Sequence, residues 1–534
     1  MTKQSKILLL SVIFITALCI IFITKPKKTV TTKEVKESIS QNKSSKKQDK
    51  SSEKKEDLKK EPLEKKIDAT SYEMDLSLDT KNKLLKETVS INITNNTNKT
   101  VNKLCIRDMT PEILKFCEIN YKENNKDLNS EIISIKLTHS DESLDYSFGK
   151  NKSIIYIKLD KDNELKAGED TSISIQMNTD IPNRGDRFGY RKTKKGTLYA
   201  LSFCFPYLAD NHNGDWIIDP FFDDGESRSY DLADYVVRFK APKSFTVATT
   251  GNDKTTDDIT TSEIKNARDF AIVACDFMKK ETFNVNDIKI NNYYLDGNFT
   301  DEYRTVSKAV TKDSIQIFTD QIGKYPYAEL DIVPTLFGFA YGGMEYPGLV
   351  MINSSLFFDS SFYDALTLED KIAHEIAHQW FYGAVGNREY AESWIDEGFA
   401  TLLEKDVYGL TKCDAHNIVD KIEEDYISIK SKEKYRNEMI ECARTDYKDI
   451  FINIPPNKYP KDQSYGDAEY NGSYLFLQEV RLLIGDEAFS DLLKDYYKTF
   501  YMKTVKTADV LDFVKKYNNS KDMDEIINFY FKLK

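Results

Sequence analysis

The hydrophobic pattern of this 534-residue chain changes near residue 299, and that change constrains the fold more than any other feature. Before that point, short runs rich in Ile, Val, Thr and Tyr alternate apolar with polar side chains. Alternation with period two predicts strands of an antiparallel sheet. The clearest runs are residues 87–94, 153–159, 172–177 and 235–240. We therefore expect residues 71–298 to form an N-terminal antiparallel β-sandwich or β-saddle domain.

The second half of the chain has helical spacing. Residues 303–321 repeat apolar side chains at intervals of three and four, which is typical of an amphipathic helix. Strands are predicted near 330–334 and 349–352, and helices dominate from there to residue 534. The whole is predicted to be a multidomain α+β protein, with a mainly helical second domain over residues 299–534.

The N-terminal segment carries an apolar run. Residues 7–24 are uncharged and mostly apolar, and 18 residues are near the lower limit for a membrane-spanning helix. We interpret residues 1–24 as an uncleaved single-pass anchor in the cell membrane, with the bulk of the chain outside. A cleaved signal peptide, a lipid on Cys19, and a cytoplasmic orientation are the alternatives.

Residues 25–70 are dense in Lys, Glu and Ser and poor in large apolar residues. Such a segment cannot form a core, so we predict a disordered, charged linker. The chain as a whole has 87 acidic and 75 basic residues, a formal charge of −12. That balance argues against a nucleic acid as the main partner, because a phosphate binder needs a basic surface. The sequence does not reveal an oligomeric state.

A pair of histidines carries the chemistry. His374 and His378 are four residues apart, on one face of a helix predicted to begin near Thr367 and Asp370. Their imidazoles can converge on one ion, and Glu375 between them can reach a water bound to it. Neutral imidazoles with one carboxylate and an open position suit zinc, and we expect one zinc ion per chain.

Glu397 is the predicted third ligand. It lies in the first turns of a second helix, whose start Ser393 and Asp396 are predicted to mark. Glu404 follows two turns later on the same face, and we expect it to orient a ligand histidine.

A chance match of the zinc pattern is the alternative. The chain has only five histidines, so two of them at ligand spacing with an acid between them favour a metal site. His139, His212 and His416 are interpreted as structural.

The motifs around this site resemble those of peptidase family M1, the aminopeptidase N and leukotriene hydrolase group. Residues 374–380 match the family's His-Glu-x-x-His-x-Trp, and residues 394–400 match its Trp-Leu-Asn-Glu-Gly-Phe-Ala. Residues 339–348 are similar to its Gly-x-Met-Glu-Asn region, with Tyr346 where many members have Asn. The resemblance covers about residues 71–534, strongly in the second half and loosely in the first.

The resemblance implies roles for several residues. Glu345 is expected to bind the free α-amino group of a substrate, which an uncharged mid-chain amide cannot imitate. Gly342 and Gly343 would let the substrate backbone approach closely, and Met344 is a candidate for the pocket wall. Glu375 is the expected general base. Tyr470 is the expected hydroxyl donor to the oxyanion, and Tyr465 is the rival for that role.

The resemblance also implies a fold and a function. A thermolysin-like catalytic domain should follow the sheet domain, and the short stretch after Tyr470 predicts an open site without the large helical domain of other members. The expected function is a zinc aminopeptidase acting on peptides with free N-termini. A zinc endopeptidase with an open site and a catalytically inactive binding domain are the alternatives.

Overall fold

The computed structural model describes residues 65–122, 124–223, 225, 229–338, 342–355, 365–410, 451–459 and 465–532. The predicted anchor at 1–24 and most of the predicted linker at 25–70 lie outside these residues. Strand β1 begins at Ile67, so the last residues of the predicted linker are part of a strand instead. Within the described part of the chain, no helix is long and apolar enough to cross a membrane.

The first half of the described chain is built almost entirely of strands. In chain order its elements are β1 (Ile67–Asp79), β2 (Leu84–Asn95), β3 (Lys103–Arg107), α1 (Thr110–Asn120), β4 (Ser130–Leu137), β5 (Tyr146–Phe148), β6 (Ile154–Lys158), β7 (Asp170–Asp180), β8 (Phe188–Lys192), β9 (Thr197–Leu201), β10 (Tyr207–Leu208), β11 (Asn211–His212), β12 (Asp215–Trp216), β13 (Ala233–Lys240), β14 (Thr246–Thr249), β15 (Asn252–Thr256), β16 (Ile259–Ala267) and β17 (Ile272–Cys275). The four runs selected by their alternation lie within or overlap β2, β6, β7 and β13. A sheet-rich N-terminal half is therefore confirmed.

Seven of these strands form one sheet, in the order β15-β16-β13-β1-β2-β7-β4. Most neighbours are antiparallel, but β1 pairs with β13 in parallel, so the prediction of a purely antiparallel sheet is wrong at this pair. Two four-stranded sheets, β10-β3-β6-β5 and β14-β17-β9-β8, lie beside it. Alternate side chains of the long strands are buried, and one apolar core joins the large sheet to strands of both smaller ones.

The second half mixes a sheet with helices. Its elements are β18 (Met278–Val285), β19 (Ile288–Leu295), α2 (Thr300–Gln321), β20 (Glu329–Thr335), β21 (Gly343–Met344), β22 (Leu349–Asn353), α3 (Ala365–Ala377), β23 (Val385–Gly386), α4 (Glu389–Glu392), α5 (Trp394–Leu410), a 3-10 turn (Pro456–Lys458), a π-helix (Asp467–Gly472), α6 (Ser473–Ile484), α7 (Asp486–Phe500), β24 (Lys503–Thr504), α8 (Thr507–Tyr517) and α9 (Lys521–Tyr530).

A five-stranded sheet, β18-β19-β20-β22-β21, spans the predicted domain boundary. β19 pairs in parallel with β20, and β20 with β22. The predicted domain boundary at residues 298/299 separates β19 from β20, which are neighbours in this sheet. The boundary stays a prediction, but backbone hydrogen bonds cross it.

The helices that carry the predicted ligands are fixed by a large apolar core. Trp380 follows α3 and Trp394 begins α5, and both side chains are fully buried. The Trp380 indole N–H donates to the carbonyl of Gly323 at 2.8 Å, and that of Trp394 to the hydroxyl of Thr507 at 2.9 Å. Full burial of one large apolar side chain stabilises a fold by about 1.5–3 kcal/mol, so these two residues hold the ends of the helices firmly in place.

Candidate metal and catalytic site

Three predicted ligands meet between α3 and α5. The Nε2 atoms of His374 and His378 are 3.1 Å apart. Oε2 of Glu397 lies 3.1 Å from Nε2 of His374 and 3.4 Å from Nε2 of His378. Four donors about 2.0–2.1 Å from a zinc ion in tetrahedral geometry are about 3.3 Å apart. The triangle formed by these three atoms therefore fits three ligands of one zinc ion.

The outer nitrogen of each imidazole is also occupied. Nδ1 of His374 lies 3.1 Å from Oε2 of Glu404, two turns after Glu397 on α5. Nδ1 of His378 lies 3.0 Å from the carbonyl oxygen of Phe381. An acceptor at Nδ1 keeps the proton there and leaves the Nε2 lone pair for a metal. The structure thus places Glu404 where the sequence predicted it, and adds Phe381, which the sequence did not reveal.

Burial and charge set the protonation of this group of side chains. Burial alone would lower the pKa of His378, but the hydrogen bond to Glu397 and the negative charges of Glu397 and Glu345 together outweigh it and raise the pKa to about 9. Burial would raise the pKa of Glu397, and the two histidines hold it well below its ordinary value instead. A metal bound at these nitrogens therefore competes with protons, so its affinity depends on pH.

Glu375 lies beside the ligands and faces strand β21. Its side chain is buried, and burial, followed by the charge of Glu345, raises its pKa to about 8. Acceptor atoms of Glu345, Glu375 and His378 all lie within 4.8 Å of one another. A base whose pKa is near neutral pH is well suited to accept a proton and release it again.

Close packing requires a glycine next to Glu375. A Cβ atom on Gly343 would lie 2.4 Å from Oε1 of Glu375, whereas one on Gly342 would meet nothing nearer than the Lys371 side chain at 3.5 Å. β21 is held to β22 by pairing of Gly343 with Ile352, which fixes this approach. Gly343 is in tight contact with Glu375, whereas Gly342 faces the Lys371 side chain, and the role of both in the approach of a substrate stays a prediction.

Gln379 connects this strand to the ligand helix, and sequence reasoning missed it. Its amide donates to the carbonyls of Glu345 at 3.3 Å and Tyr346 at 3.1 Å. Its carbonyl accepts from the N–H of Gly348 at 2.8 Å. The available sequence signal for this role was a glutamine directly after His378.

The two candidate tyrosines have different partners. The hydroxyl of Tyr470, on the π-helix, donates to Oε1 of Glu397 at 2.6 Å, so it lies at the edge of the ligand triangle. The ring of Tyr465 packs against Phe222, with centroids 5.8 Å apart, and its hydroxyl hydrogen-bonds Glu469. The structure therefore favours Tyr470 over Tyr465 as the group next to the ligands.

Other residues selected from the sequence have structural surroundings. Met344 is buried in an apolar cluster that includes Leu349 and Met351, so its part in a substrate pocket stays a prediction. Tyr346 is also buried, and its hydroxyl donates to Ser202 of the sheet-rich half at 2.6 Å. His139 and His212 are exposed, and His416 lies outside the described residues.

The two predicted helix starts are only approximate. α3 begins at Ala365, two residues before Thr367. α5 begins at Trp394, next to the predicted cap, but Ser393 has helical backbone angles and its hydroxyl donates to Glu469. Ser393 therefore joins α5 to the π-helix instead of capping a helix.

Comparison with known proteins agrees with this geometry. Residues 307–530 match the model of the Peptidase family M1 domain. Over 214 residues the chain is 26% identical to Aminopeptidase B of Rattus norvegicus, an alignment that covers 39% of this chain and 31% of the relative. It is 24% identical to Leucine aminopeptidase 2 of Yarrowia lipolytica over 228 residues, 41% of this chain and 33% of the relative. The alignments thus span about a third of the length of these relatives.

Solved structures resemble the chain over a longer stretch. The M1 zinc metallopeptidase from Deinococcus radiodurans superposes with a TM-score of 0.60 at 15% identity, covering 88% of this chain and 95% of that one. A mutant of a two-domain M1 zinc metallopeptidase bound to L-arginine gives a TM-score of 0.60 at 16% identity over the same shares. At this identity the likeness establishes the fold, a sheet-rich part followed by a partly helical one.

The matched stretch contains all three ligand candidates and Glu375. Over these residues the chain is similar to the domain of peptidase family M1.

Proposed function

We propose that this chain is a zinc-dependent aminopeptidase that removes N-terminal residues from peptides. The triangle of His374, His378 and Glu397 donor atoms, matched to tetrahedral zinc, carries the proposal. The relatives named aminopeptidases and the neighbours named zinc metallopeptidases support it. We include in the proposal that the second half is a thermolysin-like catalytic domain, since the two ligand helices pack together beside a mixed sheet.

Zinc, when bound, lowers the pKa of its water and polarises the substrate carbonyl. Glu375 accepts a proton from the attacking water and passes it to the leaving amine. Burial raises its pKa toward the neutral range, in which a carboxyl group can both accept and release a proton. Tyr470 donates a hydrogen bond to the carbonyl oxygen as negative charge develops on it.

Glu345 supplies the preference for a free N-terminus. Its carboxylate is buried and lies close to Glu375 and His378, so a substrate ammonium group bound there brings the first peptide bond to the base. An ammonium group also balances the negative charge that two neighbouring carboxylates create. An acetylated N-terminus offers no such charge.

A panel of aminoacyl fluorogenic amides tests the proposal, with and without a zinc chelator. We expect chelator-sensitive cleavage of some members, restored by added zinc, and no cleavage of the same substrates after N-acetylation. Cleavage of none of them would contradict the aminopeptidase. Cleavage of acetylated peptides at internal bonds would identify an endopeptidase, and zinc binding without any cleavage a binding domain.

Membrane attachment through residues 1–24, with the catalytic part outside the cell, stays a proposal that rests on the sequence. Salt-resistant sedimentation of the full chain with membranes, and digestion of its folded part by protease added to intact cells, would support it.

A further inference from the structure

The turn that follows His378 has an unusual backbone at Tyr382. Its φ is +130°, in a region of backbone conformation that residues other than glycine rarely occupy. Tyr382 is also fully buried, so it cannot relax toward solvent. Such a conformation persists only where the contacts of the residue hold it in place.

Two adjacent residues of the sheet-rich half hold Tyr382. Arg268 and Asp269 lie in the connection between β16 and β17, and both are 2% exposed. Nε of Arg268 donates to the carbonyl of Tyr382 at 2.8 Å, and the Tyr382 hydroxyl donates to Oδ2 of Asp269 at 3.0 Å. Tyr382 is thus held both at its main-chain carbonyl and at its side-chain hydroxyl.

The Arg268 guanidinium also fixes the strand pair behind the turn. Nη1 donates to the hydroxyl of Thr504 at 2.9 Å and Nη2 to the carbonyl of Lys503 at 2.7 Å. These three hydrogen bonds of the guanidinium go to neutral oxygen atoms, so they depend on the positions of the N–H groups and not on an ion pair. A lysine has the charge but lacks the planar fork that reaches three acceptors at once.

Gly386 makes room for this guanidinium. A Cβ atom there would lie 2.1 Å from Nε of Arg268. The main chain of β23 therefore runs directly against the arginine, which shows that the cavity for Arg268 is closely fitted.

The held residue shares a peptide unit with the acceptor of a metal-ligand candidate. The carbonyl of Phe381, 3.0 Å from Nδ1 of His378, belongs to the same planar group as the N–H of Tyr382. That N–H donates to the carbonyl of Val385 at 2.8 Å. Any rotation of Tyr382 about its N–Cα bond therefore disturbs the carbonyl that orients the imidazole.

We propose that Arg268 and Asp269 are positioning residues through which the sheet-rich half holds the turn after His378 and so fixes the orientation and tautomer of that ligand. The inference rests on the zinc site proposed above. Through Arg268 and Asp269, the sheet-rich half would affect zinc affinity without contacting the metal.

The test compares zinc affinity of variants by competition with a chromogenic chelator. Loss of a group that orients a ligand histidine typically lowers metal affinity about 10–100-fold, and we expect about 10-fold for Arg268→Lys and for Tyr382→Phe. Asp269→Asn keeps an acceptor for the tyrosine hydroxyl and should stay close to wild type, while Asp269→Ala should weaken zinc binding. At saturating zinc the KM for substrate should change little in all four.

Arg107→Lys is the matched control, because Arg107 is an equally buried arginine whose hydrogen bonds go to Met109 and Asp219 within the sheet-rich half. It should reduce thermal stability without changing zinc affinity, as a purely structural role would. Wild-type affinity in both Arg268→Lys and Tyr382→Phe would overturn the inference. If Arg268→Lys does not fold, Tyr382→Phe and the Asp269 pair decide. A wild-type protein that bound no zinc would overturn the proposed function and with it this inference.

Discussion

The two tyrosines at 465 and 470 show how hydrogen bonding decides a role that sequence position leaves open. Tyr470 is bonded to a predicted zinc ligand, Glu397, and its ring lies 5.7 Å from that of His374. Tyr465 is turned toward Glu469 and the sheet-rich half instead. Of these two tyrosines, Tyr470 is the one whose hydroxyl lies beside the ligand triangle.

We predict that Tyr470→Phe lowers kcat by about 100- to 1,000-fold and changes KM by less than about threefold, because one hydrogen bond to the developing negative charge is lost. Steady-state kinetics on an aminoacyl fluorogenic amide measures both. Tyr465→Phe is the matched control and should retain most of the activity. A kcat in Tyr470→Phe equal to that of wild type would refute the assignment.

Which site residues the sequence could predict depended on how far apart they are in the chain. His374, Glu375 and His378 lie within one helical turn and a half, where spacing alone fixes their relative positions. Glu397 followed from the charge that zinc needs, and from a second helix start. Gln379 and Phe381 could not be predicted, because their roles depend on a main-chain carbonyl and on the loop that happens to pack against them.

At the scale of elements, β21 and α3 lie so close together that an added methyl group would clash with Glu375 at Gly343 but not at Gly342. Gly343→Ala should lower kcat by about 100-fold, because its Cβ would displace the Glu375 carboxylate and small misplacements of a catalytic base are costly. The Cβ of Gly342→Ala would make only ordinary van der Waals contact, with the Lys371 side chain at 3.5 Å, so this variant should remain near wild type. Equal activity of the two variants in the same assay would contradict the close approach.

The second element-scale prediction concerns α5, which carries both a ligand and the group that orients another ligand. Glu404→Ala should weaken zinc binding about 10- to 100-fold, because Nδ1 of His374 loses its acceptor. Dialysis against zinc buffers followed by metal analysis measures this. Glu404→Gln retains an acceptor oxygen, so its zinc affinity should lie between those of wild type and Glu404→Ala. Unchanged zinc content in the alanine variant would show that Glu404 does not orient His374.

Several of the longer elements were predictable, and their pairing partners were not. Alternation placed β2, β7 and β13, and helical spacing placed α2, because both patterns depend on neighbours within a few residues. The parallel pairing of β1 with β13 joins segments about 160 residues apart, such as Ser71 with Asp234. No local pattern encodes such a partner, so the default expectation of antiparallel pairing was wrong there.

At the scale of the whole molecule, a group of carboxylates lies where the two halves meet. Asp253 of β15, in the sheet-rich half, interacts electrostatically with Glu329 and Asp331 of β20. Burial first, and then the charge of Glu329, raise the pKa of Asp253 to about 7, although it accepts hydrogen bonds from Thr249. Burial and the charge of Asp253 likewise raise the pKa of Asp331.

This raised pKa gives a pH dependence whose sign is fixed. Between the ordinary pKa of 3.8 and the folded value of about 7, the folded chain keeps a proton on Asp253 that the unfolded chain has lost. The contribution to stability is therefore fully present below pH 4, declines as pH rises through this window, and is absent above about pH 7.

Asp253→Asn imitates the protonated form at every pH. We expect its free energy of unfolding relative to wild type to rise by about 2 kcal/mol between pH 5 and pH 7 and then to level off. Urea unfolding at pH 5, 6, 7 and 8 measures the difference. Asp257→Asn is the control, because Asp257 lies in the turn that follows β15 and its side chain is 74% exposed. A difference between Asp253→Asn and wild type that stayed constant with pH would show that this carboxyl ionises normally, and that the junction of the two halves tolerates its charge.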